Sequence, residues 1–208
     1  MAMSDPLGKV KTSVEDISAR LSGKVEAREE LSLRARRGIR LCGEAVSLSH
    51  RGQIDEAKKR LREAREIMEE LRPKRQELGL EVFDALAQEY VEAEALVRVV
   101  EGRELPSAEE LKVADEAYIL GMADLIGELR RRVLEEMRKD NQSEAERLYE
   151  LMKELYELIW PLEYPRSLVP GLRHKLDAMR RVLDETLHDL TLMKMLTAPH
   201  RDKNIRLA

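Results

Sequence analysis

Cysteine is nearly absent from this 208-residue chain. Cys42 stands alone, so no intrachain disulfide or thiolate metal site can form, and zinc-finger and thiol-redox chemistries drop out. Aromatic residues are also scarce, 3% against 38% charged, which leaves few strand formers and few rings on which bases could stack. No stretch approaches the roughly 20 apolar residues of a membrane span. The opening MAMSDPLGKVKTS has no apolar signal core, so a soluble cytoplasmic protein without membrane contact is expected. A surplus of one charge sign is missing too. With 37 basic and 41 acidic residues, the formal charge is -4, and any affinity for nucleic acid must come from local clusters. No phosphate-cradling glycine loop, nucleophile elbow or catalytic triad spacing appears.

What is present is a helix-forming vocabulary of Leu, Ala, Glu and Arg, which predicts an all-α fold of about seven helices in one domain spanning residues 1–208. Thr12-x-x-Glu15, Ser107-x-x-Glu110 and Ser143-x-x-Glu146 each fit a capping box at a helix start. The expected helices run from about Thr12 to His50, Ile54 to Leu71, Leu80 to Val100, Ser107 to Ala114, Asp115 to Lys139, Ser143 to Trp160, and Pro170 to Leu196. A turn at Arg51-Gly52 separates the first two, and the proline-bearing WPLEYPRSLVPG reads as a loop before the last. Residues 1–11 and 197–208 read as flexible tails. GQIDEAKKRLREAREIMEEL and NQSEAERLYELMKELYEL resemble one another, but no third copy exists, which argues against a solenoid.

Two helices break their apolar pattern with acids. In EVFDALAQEYVEAEALVRVV the stripe steps through Val82, Leu86, Ala93, Leu96 and Val100, and Glu89 takes the slot between Leu86 and Ala93, with Glu92 one turn on. In GMADLIGELRRR, Gly121, Asp124, Gly127 and Glu128 share a face beside the packing residues Met122, Ile126, Leu129 and Val133. Interior glycines cost a helix about 1 kcal/mol each against alanine, so two of them flanking an aspartate suggest that another backbone or a ligand comes close. Should the two helices meet, the four carboxylates converge and need a cation. Oxygen donors without His or Cys select a hard ion, Mg2+ or Mn2+, which can act on a phosphodiester. Acids are 41 of 208 residues, however, so pairs at helical spacing also arise as a solvated face, and periodicity alone favours that reading.

At these residues the sequence resembles the translin superfamily, in particular the branch holding translin-associated factor X and the archaeal translin-like proteins. The resemblance is carried by LAQEYVEA (86–93) and YILGMADLIGELRRR (118–132), with HRG (50–52) and VPGLRHKLD (169–177) agreeing in place. It implies a helical subunit that assembles into a hollow homo-oligomer, commonly an octamer and in some cases with a paralogous translin subunit. Such a shell encloses RNA or single-stranded DNA, and in the factor X branch the resemblance implies that the acids of these two blocks form a Mg2+-dependent endoribonuclease site facing the interior. Carried over to this chain, the catalytic positions are Glu89, Glu92 and Asp124, and the metal ligands are those three with Glu128. Translin proper shares the fold but has apolar residues at the acids of the first block, which this chain retains. The C-terminal tail departs from the family.

Arg34, Arg36, Arg37 and Arg40 form a basic cluster on the first helix, and Arg131 follows the second acidic block; both are candidate phosphate contacts, with a salt-bridged flank as the alternative. Arg72, Lys74 and Arg75 are further basic residues at a turn. His50, His174, His188 and His200 show no ligand spacing and read as structural, Trp160 as a core or interface anchor, and LTLMKML as packing or subunit interface. With few aromatics, weak sequence preference and a single-stranded substrate are expected. A non-catalytic RNA- or DNA-binding shell is the alternative within the same fold, and a scaffold that binds only protein is the alternative outside it.

Overall fold

In the computed structural model, residues 7–75, 81–163 and 169–197 are described; among them are seven α-helices and no strand. They are α1 (Gly8–His50), α2 (Ile54–Leu71), α3 (Glu81–Glu101), α4 (Ala108–Leu111), α5 (Asp115–Arg138), α6 (Gln142–Ile159) and α7 (Leu172–Thr197). Short 3-10 turns follow α2 at Arg72–Lys74 and α6 at Trp160–Glu163. The expected order and type of elements hold throughout. The details at helix ends differ.

Of the three capping boxes, one forms: the Ser107 hydroxyl accepts from the Glu110 N–H at 3.2 Å. Thr12 lies inside α1, which begins four residues earlier, and its hydroxyl instead donates to the Gly8 carbonyl. Residues 8–11, read as tail, are therefore helical. Ser143 sits within α6, where Asn141 takes the N-cap position, and Glu146 is drawn to Gln142 and Lys194. α4 is shorter than expected because Lys112 turns left-handed, at φ 55°. The start of WPLEYPRSLVPG is a 3-10 turn rather than open loop; its residues 164–168, the expected start of α3 at Leu80 and residues 198–208 lie outside the described residues. Gly52, at φ +74°, makes the expected turn between α1 and α2, where most side chains would be strained.

α3 and α5 form the spine of the bundle. α1 and α2 cover one side of α3, while α6 and α7 cover α5. The expected stripes supply the core: Leu86, Ala93 and Leu96 of α3 and Met122, Ile126, Leu129 and Val133 of α5 are buried. Leu31, Ala35 and Cys42 seat α1 against them. Only the second half of α1 joins this core. Residues 9–30 are all exposed, among them Val10, Val14, Ile17, Leu21 and Val25. Trp160, expected as an anchor, is 47% exposed and stacks on Tyr156 with ring centroids 6.2 Å apart.

The two glycines beside Asp124 part company. A Cβ at Gly121 would stand 2.6 Å from the Gln88 carbonyl oxygen and 2.7 Å from Val91 Cβ, so here the backbone of α3 comes close, as the sequence suggested. At Gly127 a Cβ would meet nothing within 4 Å. Gly121→Ala should therefore destabilise the fold by about 1–3 kcal/mol through overpacking, whereas Gly127→Ala should stabilise it by up to about 1 kcal/mol through helix propensity. Urea denaturation of the two variants checks the contrast; equal effects would contradict it.

Candidate functional site

Close packing at Gly121 brings the acids of α3 and α5 into one electrostatic field. Glu89 and Glu92 are both part-buried, and the carboxyl of each is pushed above the usual range. For Glu89 the causes are burial and then Asp124, with Glu128 adding and Lys175 opposing. Glu92 is pushed up to about 8 by burial first and then by Asp124, Glu89 and Glu128. Such shifts mark negative charge gathered where water cannot screen it. All four acids named from the sequence thus act on one another.

Each α5 acid is also held by a side chain from another element. Asp124 accepts from Gln88 Nε2 at 2.6 Å through one oxygen and is ion-paired to Lys175 of α7 through the other. Glu128 meets His50 Nε2 at 2.5 Å, and this hydrogen bond holds its carboxyl below the ordinary carboxylate range. The His50 side chain is 4% exposed, and its Nδ1 is buried with no hydrogen-bond partner among the described residues. A buried ring nitrogen left unpaired costs about 1–3 kcal/mol. His50 was read from the sequence as structural; the structure places it against a site acid.

Gln88, His50 and Lys175 are therefore the residues that spacing alone missed. Their partners lie 36, 78 and 51 residues away in sequence, beyond any helical periodicity. Each does fall within a quoted block, in LAQEYVEA, HRG and VPGLRHKLD respectively. Cys42 on α1 also faces the acids: burial pushes its thiol pKa up, and Glu89 and Glu92 add to the shift.

The donor chemistry suits a hard divalent ion, because the acids offer only oxygen and the raised proton affinity of Glu89 and Glu92 reports a demand for positive charge there. As placed, though, no three His, Cys, Asp or Glu side chains among the described residues are set to grip one ion together. Lys175 and His50 already occupy two of the carboxylates. A cation held by Glu89, Glu92, Asp124 and Glu128 would have to displace those partners.

The basic candidates separate from this site. On α1, Arg37 and Arg40 fall on the side opposite Cys42 by the helical step of about 100° per residue. Arg36, Arg37 and Arg40 are exposed, while Arg34 is ion-paired to Glu70 of α2. Arg131 alone joins the acidic face, 3.9 Å from Glu128 and 57% exposed. Arg72 ties to Glu69 and the Lys112 carbonyl, and Arg75 to Asp84 at 2.7 Å.

The molecule is an all-helical protein with a carboxylate centre built between two packed helices, each end of it steadied by a base from a third or fourth helix. The chain belongs to the Translin family, whose profile matches residues 2–186. An uncharacterized protein of Methanocaldococcus jannaschii is 36% identical over 179 residues, covering 82% of this chain and 78% of its own. Among solved structures, AfC3PO is similar at 30% identity with a TM-score of 0.79, over 90% of this chain and all of its own. AfC3PO in complex with duplex RNA matches at 31% identity and TM-score 0.79, over 89% and 98%. Apo-NeC3PO, at 22% identity and TM-score 0.78 over 93% and 100%, shares the fold.

A pH dependence follows from the acids. Glu92 has a folded-state pKa of about 8, above its ordinary 4.5, so between those values the native state binds more protons than the unfolded chain. Stability without divalent cations should therefore fall as pH rises from about 4.5 to about 8. Glu92→Gln should flatten that slope, read as melting temperature against pH in chelator. Parallel slopes for the two proteins would refute the electrostatic account.

Proposed function

We propose that this protein binds RNA or single-stranded DNA as a homo-oligomeric shell and cuts RNA at the carboxylate centre as a divalent-cation-dependent endoribonuclease. The observation that carries the reading is the convergence of Glu89 and Glu92 with Asp124 and Glu128, in a family in which the similar AfC3PO was solved with duplex RNA. A bound Mg2+ or Mn2+ would supply positive charge to the phosphodiester and acidify water for attack. The chain's own residues set the conditions. Gln88 and Lys175 fix the orientation of Asp124, and His50 fixes that of Glu128. Glu92, able to hold or release a proton near neutral pH, is the member best suited to move one.

Assembly is supported by the exposed half of α1. Val10, Val14, Ile17, Leu21 and Val25 repeat at three- and four-residue steps and are 45–58% exposed, the spacing of a helix seam that seeks a partner. Leu192, Met195 and Leu196 in the Met-rich stretch are exposed too, while Leu190 is buried, so that stretch serves packing and surface together. An octamer, with or without a paralogous subunit, is the expected size.

A second reading keeps the shell and drops the chemistry. It is favoured by Lys175 and His50, which as placed satisfy Asp124 and Glu128 as structural ion pairs would. Labelled single-stranded and duplex RNA, incubated with and without Mg2+, separates the two. The duplex belongs in the assay because backbone contacts need no unstacked bases. Cleavage that needs Mg2+ is expected, with Glu89→Gln and Asp124→Asn each losing at least about 100-fold, the scale of a lost transition-state contact, while particle mass stays unchanged. RNA retained but uncut by the wild-type protein selects the second reading, and full cleavage by both variants rejects the site. Val14→Asp with Leu21→Asp should lower the particle mass measured by light scattering; an unchanged mass would show that the α1 seam does not hold copies together.

A further inference from the structure

Gly127 costs α5 stability, and nothing in the described chain accounts for the cost. A glycine in a helix interior loses about 1 kcal/mol against alanine. At Gly121 the backbone of α3 explains the loss, but the space over Gly127 is open. That space is a groove of about 160 Å3 between α5 and α7, lined by Ala123, Asp124, Gly127, Lys175, Ala178 and Val182. Ile126 and Met179 complete its apolar lining, and the acidic centre lies at its edge.

One cation lines this groove, and a second lies beyond it along α5, within 3.9 Å of Glu128. Lys175, in the first turn of α7, is part-exposed and spends one contact on Asp124. An ammonium has three protons to donate, so capacity remains for a second acceptor. Arg131 lies one turn beyond Gly127 on the same face of α5 and is largely exposed. An object that approaches a bare glycine beside the Lys175 ammonium, with Arg131 one turn further along the helix, is best matched by an anionic, extended polymer backbone. Hydrogen bonds from Lys and Arg to phosphate are the usual means of setting such a backbone in register.

We propose that Lys175 is the phosphate-contacting residue of the acidic face, and that the groove over Gly127 admits the nucleic-acid backbone to it. The proposal rests on the nucleic-acid-binding part of the function above and not on cleavage. Asp124 then has two tasks: it holds the ammonium at the groove edge, and it belongs to the carboxylate set. Lys175 in turn couples the arrival of a phosphate to the acid centre, because any move toward the phosphate loosens its hold on Asp124.

The test uses the full-length protein and fluorescein-labelled 2′-O-methyl RNA, single-stranded and duplex, which resists cutting. Binding is read by anisotropy in chelator over a range of salt. Lys175→Met should weaken binding by about 10-fold or more, the lower scale of a charged hydrogen bond, and reduce the salt slope by about 1 for the lost phosphate. Lys175→Arg should keep the slope. Gly127→Leu, whose side chain enters open space, should weaken binding similarly while melting temperature does not fall and particle mass stays at the wild-type value. Wild-type affinity and slope in Lys175→Met, or wild-type affinity in Gly127→Leu, would overturn the proposal. So would a changed particle mass in Gly127→Leu with RNA affinity intact, which would assign the groove to a second copy of the chain. Binding of the 2′-O-methyl RNA as expected, with unmodified RNA never cut by the wild-type protein in Mg2+, removes the nuclease reading and leaves this one standing; wild-type protein that binds neither the single-stranded nor the duplex RNA removes both.

Discussion

The contact on which the rest of the structure depends is the approach of α5 to α3 at Gly121. No side chain separates the helices there: the place of a Cβ lies 2.6 Å from a carbonyl oxygen of α3 and 2.7 Å from Val91. That separation carries Asp124 within hydrogen-bond reach of Gln88 and into the field of Glu89 and Glu92. A larger residue would push the helices apart and dilute the negative potential. The acid centre is thus a product of backbone proximity, with the carboxylates supplied by the sequence and their concentration supplied by one missing methyl group.

Proximity of like charges sets a second requirement, compensation. The molecule meets it from several directions at once. Burial lifts the proton affinity of Glu89 and Glu92, Lys175 arrives from α7 to face Asp124, and His50 arrives from the end of α1 to face Glu128. Two of these devices are reversible by ligands: a proton can leave, and an ammonium can exchange one anion for another. The centre is thus compensated as placed, by contacts that other charges can exchange with.

The helical order was legible because long amphipathic segments announce themselves by their apolar spacing, and α2 and α5 lie within a residue of where that spacing puts them. Helix starts were less legible. Thr12 and Ser143 have the right neighbours for capping, but α1 and α6 begin earlier, since capping competes with the gain from one more helical turn. In the site, Glu89 showed itself by interrupting a core stripe and Asp124 by its glycines. His50, Gln88 and Lys175 gave no such sign, because an ion pair between distant helices leaves no trace in local periodicity. The meaning of Gly127 was hidden for the opposite reason: its signal equalled that of Gly121, and only coordinates separate a glycine that touches a neighbour from one that touches nothing.

Cys42 is the chain's one thiol, set into α1 behind Glu89 and Glu92 and wholly enclosed. Burial and the adjoining negative field both oppose the thiolate, the form that reacts with electrophiles and oxidants. The sulfur is therefore chemically silent for as long as α1 keeps its seat on α3. Its awakening would report, at a single atom, that the wall behind the acids had opened.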